Sequence, residues 1–102
     1  MVLSGENNYL DNLSSWDESI ARVQAERWDI ELTQMHLEIL YTARHFYNLY
    51  GFSPSMRPLT KFVSESLHTE KGRSIYLLSL FPGASAKLIA DIAGIPKPRN
   101  CL

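Results

Sequence analysis

TQMHLEILYTARHFYNLYG, residues 33–51, is the stretch on which the fold turns. Leu37, Ile39, Leu40, Ala43, Phe46, Tyr47 and Tyr50 recur at spacings of three and four, which puts them on one stripe of a helix facing a core. Thr33 is a start signal, and Gly51 is the natural residue to close the helix in a left-handed turn. Tyr41, Phe46, Tyr47 and Tyr50 also suggest a stacking surface, but at helical spacing in a small domain they are read as core.

The elements on either side follow. Ser53-Pro54 or Ser55 opens the next helix. Pro58 is tolerated there because it lies in or near the first turn, and Leu59, Phe62, Val63 and Leu67 form the buried side. Lys71-Gly72-Arg73-Ser74 is a turn and cap before a short apolar helix, Ile75 to Leu80, which Pro82 stops. A last helix runs from Ala84 to Ala93 and is closed by Gly94. Upstream, Ser15 and Glu18 have capping-box spacing, which predicts a helix from Trp16 to about Trp28 with Ile20, Val23 and Trp16 turned inward. Gly5, Asn7 and Asn8 mark a turn between Met1-Val2-Leu3 and Tyr9-Leu10, the signature of a small hairpin. After Gly94, Ile95-Pro96-Lys97-Pro98-Arg99-Asn100-Cys101-Leu102 carries two prolines in three positions, which forbid helix and favour an extended arm.

Length and composition bound the function. The chain has 102 residues, 45% hydrophobic and 21% charged, with ten Lys+Arg against eleven Asp+Glu. One domain of this size buries enough surface to fold without a disulfide or metal. A net charge of -1 argues against a dominant phosphate-binding face. The single cysteine allows no intramolecular disulfide. With no signal-like start and no apolar run long enough to span a bilayer, the expectation is a reduced, cytoplasmic protein without a membrane segment.

Few residues promise chemistry. His36, His45 and His68 lack metal-ligand spacing, and neither a phosphate-binding glycine loop nor a nucleophile elbow is present. Residues 34–67 have the outline of a helix-turn-helix, but its second helix offers only Arg57 and Lys61, then Glu65. An orthogonal pair packed for structural reasons stands beside a DNA-reading regulator as the alternative. Cys101 remains. Lone thiols near a terminus are commonly incidental, yet this one ends a proline-stiffened arm that spans up to roughly 23 Å from Ile95. Such an arm can carry a thiol into a partner's pocket. Lys97 and Arg99 favour the thiolate and a terminal carboxylate opposes it. The position is wrong for prenylation.

Lys71-Gly72-x-Ser74-x-Tyr76-Leu77-x-x-Leu80-Phe81-Pro82, then Ala86-Lys87, then Ile92-Ala93-Gly94-Ile95-Pro96-Lys97-Pro98-x-x-Cys101-Leu102 resembles the TusE/DsrC family of sulfur-carrier proteins. The similarity extends upstream through Tyr9-Leu10, Trp16, Ser53-Pro54, Arg57, Leu59 and Lys61. The resemblance implies an α+β fold, predominantly helical: about five helices, a small N-terminal β-hairpin or meander, and an extended C-terminal arm. It implies a single domain over residues 1–102, with 94–102 a mobile arm. Cys101 is then the persulfide-carrying residue. Gly94, Pro96, Lys97 and Pro98 of the arm, and Arg57, Lys61 and Lys87, are docking candidates.

DsrC-type members have a second cysteine where this chain has Ala90, so the chain is similar to the single-cysteine TusE branch. That branch accepts sulfur from a TusBCD complex and passes it to the tRNA 2-thiouridylase MnmA, for wobble-uridine 2-thiolation, without cofactor or metal. A DsrC-like carrier in dissimilatory sulfur metabolism is the alternative within the family. The last helix departs from the family's Gly-Pro-Ala-Lys-Gln-Ala run, reading Ala84-Ser85-Ala86-Lys87-Leu88-Ile89.

Overall fold

The computed structural model describes residues 8–99. Its elements are α1 (Glu18–Glu26), α2 (Gln34–Tyr50), α3 (Met56–Ser66), α4 (Ser74–Leu80) and α5 (Ser85–Ile92), with short 3-10 turns at Tyr9–Asn12 and Thr69–Gly72. Packed against α3 and α5, α2 is the axis of the fold, and Ile39, Leu40, Leu59, Val63, Leu77, Phe81, Ile89 and Ile92 fill the core.

The central helix is bounded as its sequence indicates. Thr33 accepts from the His36 amide in a capping box, and Gly51 closes the helix at φ 77°. A Cβ at Gly51 would lie 2.8 Å from the Tyr9 ring, so both the backbone and the packing require glycine. His36 is part of the box. The Thr33 amide donates to its Nδ1 (3.1 Å), and the ring is buried. Nε2 therefore carries the hydrogen and donates to the Leu80 carbonyl (2.9 Å), which can only accept. This bond ties the start of α2 to the end of α4.

The expected β-hairpin is corrected. Among the described residues there is no strand, and the segment assigned to its second limb is the 3-10 turn Tyr9–Asn12. Its backbone groups are taken locally, by Asp11 donating to Asn8 and Leu13 to Leu10. The Leu10 amide donates to the side chain of Asn48 on α2 (3.1 Å), and Tyr9 packs edge-on against Tyr47. Amides bonded within a turn and to a helix side chain are not available to a strand ladder. The other limb, Met1-Val2-Leu3, lies outside the described residues. The fold over 8–99 is helical.

Further expectations change in detail. α1 starts at Glu18, capped by Asp17, whose carboxylate accepts from the Ile20 amide (2.9 Å), in place of a Ser15 cap. Its inward face is Ala21 and Ala25, both fully buried, while Ile20 and Val23 are exposed. Small residues let α1 lie close on α5, and the larger side chains turn to solvent. On α2, Phe46 and Tyr47 are buried, but Tyr41 and Tyr50 are about half exposed (48% and 53%), so only part of the aromatic set is core. On α3, Leu59 and Val63 are buried and Leu67, at the C-cap, is exposed.

Candidate functional site

The site is the root of the arm, built where α5 ends. The final carbonyls of a helix have no partner within it, and here two of them are met from other elements. The indole Nε1 of Trp16 donates to the Ile92 carbonyl (2.9 Å), and Nη1 of Arg44 donates to that of Ala93 (2.7 Å). Arg44 also stacks over the Trp16 ring at 4.4 Å from its centroid. A cation at a helix C-terminus complements the helix dipole. Burial lowers the pKa of Arg44, yet a guanidinium stays charged at any ordinary pH. Tyr41 packs edge-on against Trp16 (5.4 Å between centroids) and donates to Glu18 Oε2 (2.9 Å). That hydrogen bond raises the phenol's pKa.

Gly94 then turns the chain at φ 71°, and a Cβ there would lie 2.7 Å from Cδ1 of Trp16. Glycine is required by both the left-handed backbone and the indole. Beyond it the chain stays on the body. The Ile95 amide donates to the Ala90 carbonyl (3.0 Å), Ile95 is buried and Pro98 is fully buried. The hydroxyl of Ser53, in the turn between α2 and α3, donates to the Pro96 carbonyl. Lys97 and Arg99 are exposed. The arm's first half is thus anchored at Ile95, Pro96 and Pro98.

Of the residues singled out by sequence, the structure brings together Gly94, Pro96, Lys97, Pro98 and Lys87. Lys87, on α5, and Lys97 line one concavity of about 150 Å³ with Trp28, Asp91 and Ile95. Lys61 lies elsewhere, beside Phe46, Tyr50, Phe52, Pro58, Phe62 and Glu65. Arg57 is exposed on α3. Cys101 lies outside the described residues. Sequence reasoning missed Trp16, Arg44 and Ser53 as parts of the root. Ser53 and Pro96 are 43 positions apart, and Trp16 and Ile92 are 76 apart, so no local pattern pairs them.

Fold and site together define a small helical domain that anchors the root of a cysteine-bearing tail. Residues 2–102 match the family described as DsrC like protein, and the chain belongs to that family. It is 43% identical over 101 residues to the Sulfurtransferase TusE homolog of Haemophilus influenzae, covering 99% of this chain and 93% of that one. It is 42% identical over 94 residues to Sulfurtransferase TusE of Escherichia coli, covering 92% and 86%. The NMR structure of Allochromatium vinosum DsrC superposes with a TM-score of 0.79 at 43% identity, over 89% of this chain and 81% of that one.

Proposed function

We propose that this chain is a sulfur carrier whose Cys101 accepts persulfide sulfur and relays it towards 2-thiolation of wobble uridine in tRNA. The observation that carries the reading is positional. The only cysteine in the chain follows an anchored root by a few residues, in a sequence whose relatives are named Sulfurtransferase TusE. The lack of a second thiol favours this over a carrier that closes an intramolecular disulfide, and Ala90 is buried inside α5.

The step is exchange at sulfur. The Cys101 thiolate attacks the outer sulfur of a partner's persulfide, the partner's S–S bond breaks, and a new S–S bond forms on Cys101. The electron pair leaves with the partner's thiolate, which takes up a proton. No external oxidant or reductant is consumed. Rate follows the thiolate fraction, the leaving thiol's pKa and access, and each partner supplies the surroundings.

Residues 1–102 act as one cytoplasmic domain. A TusBCD-like complex is the donor, an MnmA-like thiouridylase the acceptor, and tRNA is contacted through the latter. The arm root (Gly94, Pro96, Lys97, Pro98) presents the thiol, and Arg57, Lys61 and Lys87 contact the partners. Among the described residues no single helix is long and apolar enough to cross a membrane. The test is restoration of tRNA 2-thiolation in a strain lacking its own TusE. The wild-type chain restores it and Cys101→Ser does not; restoration by both sinks the reading.

A further inference from the structure

We propose that the concavity between Lys87 of α5 and Lys97 of the arm seats a carboxylate from an acidic segment of the relay partner. The partner thereby reads the body and the anchored arm root as one surface. This deepens the carrier reading and rests on it.

Trp28, about half exposed, forms one wall. Its indole Nε1 donates to Asp91 Oδ2 (2.8 Å), and the same oxygen accepts from Gln24 Nε2 (2.7 Å). Two donors from the α1 side thus hold the Asp91 carboxylate and fix the indole as a rigid wall. Buried Ile95 lines the same hollow. The ion pairs among the described residues are Arg22–Glu18, Lys71–Glu38 and Arg73–Glu70. Lys87 and Lys97 are in none of them, although Asp91 lines the same hollow.

Two ammonium groups that are in no ion pair among the described residues face one carboxylate, Asp91, which is already engaged by Trp28 and Gln24. The hollow therefore carries net positive charge beside an apolar wall and suits a negative group. A volume of about 150 Å³ suits a side-chain carboxylate rather than a nucleotide. Phosphate-backbone recognition also needs positive charge spread along a track, whereas Asp91 interrupts the cations here and the chain's net charge is -1. Rigid walls lower the ordering cost of docking, and cations placed this way act mainly on encounter rate and specificity. Lys87 is on the body and Lys97 on the arm, so a carboxylate between them is held best while the Ser53 anchor is closed.

The experiment is a double-mutant cycle on binding. Dissociation constants for a purified TusBCD-type complex are measured by calorimetry with Lys87→Ala, Lys97→Ala and the double variant. All three are made in a Cys101→Ser background, so that sulfur transfer plays no part. Each single change is expected to weaken binding about five-fold. The double is expected to fall short of the product of the singles, because one carboxylate is shared. The wild-type pair is expected to lose affinity as salt rises, more steeply than the double variant. Unchanged affinity in either single variant overturns the proposal, as do strictly multiplicative losses or losses that appear only with tRNA. Sulfur loading of the parent chain, measured separately, decides the carrier reading.

Discussion

The hydroxyl of Ser53 donates to the carbonyl of Pro96, joining the turn between α2 and α3 to the arm that leads to Cys101. Ser53 is buried, so the bond is sheltered from competing water, and Pro96 offers only its carbonyl because it has no N–H. The bond makes the root part of the body. In Ser53→Ala the Ile95 amide, which is bonded to the Ala90 carbonyl at the arm root, is expected to exchange its hydrogen at least about ten-fold faster, with a cost near 1 kcal/mol in global stability. An unchanged exchange rate at Ile95 contradicts the anchor.

Gly94 sets the direction in which the arm leaves. At φ 71°, with the Trp16 ring 2.7 Å from where a Cβ would stand, Gly94→Ala meets both backbone strain and a clash. The expected loss is at least about 1–2 kcal/mol, read as a lower midpoint in urea. The accompanying Trp16 displacement is visible in its fluorescence. A variant as stable as the parent contradicts this geometry.

Trp16→Phe tests the cap on α5. It keeps a ring beneath Arg44 but removes the indole N–H that serves the Ile92 carbonyl. A carbonyl left without its partner costs about 1–3 kcal/mol, and faster exchange is expected in the last turn of α5 and at Ile95. Arg44→Gln is expected to act in the same direction through Ala93. Unchanged stability in both variants means that the helix end is satisfied in another way.

His36 sets a pH dependence. Burial lowers its pKa from the ordinary 6.5, against the opposing effect of the Leu80 hydrogen bond. Protonation would also oppose the Thr33 N–H that points at Nδ1. The folded state therefore binds the proton less readily than the unfolded chain. The stability this confers is fully present above about pH 6.5 and is lost as pH falls through the lowered value. The melting temperature is expected to decline between pH 7 and pH 5, and the decline to be shallower in His36→Gln, which is less stable at neutral pH. Parallel profiles for the two proteins exclude His36 as the titrating group.

Much of the helical frame was legible because it is local. Thr33, the apolar stripe to Tyr50 and Gly51 sit within one turn of the features they control, and Gly94 likewise marks the end of α5. What failed was decided at long range. Ile20 and Val23 are the larger apolar residues of α1 but face solvent, because close packing on α5 admits only Ala21 and Ala25. Tyr9-Leu10 reads as a strand, yet Asn48 and Tyr47 of α2 claim it as a 3-10 turn. For the site, the resemblance to the carrier family put forward Cys101, Lys87 and the arm prolines as candidates. The anchoring of the arm by Ser53, Trp16 and Arg44 needed the fold.

The central claim is that Cys101 takes up sulfur, and intact-mass analysis after incubation with a cysteine desulfurase relay tests it most directly. The wild-type chain is expected to gain the mass of one sulfur atom, removable by a thiol reductant, and Cys101→Ser to gain none. Addition to both proteins, or to neither when the upstream donors are active, would contradict the account.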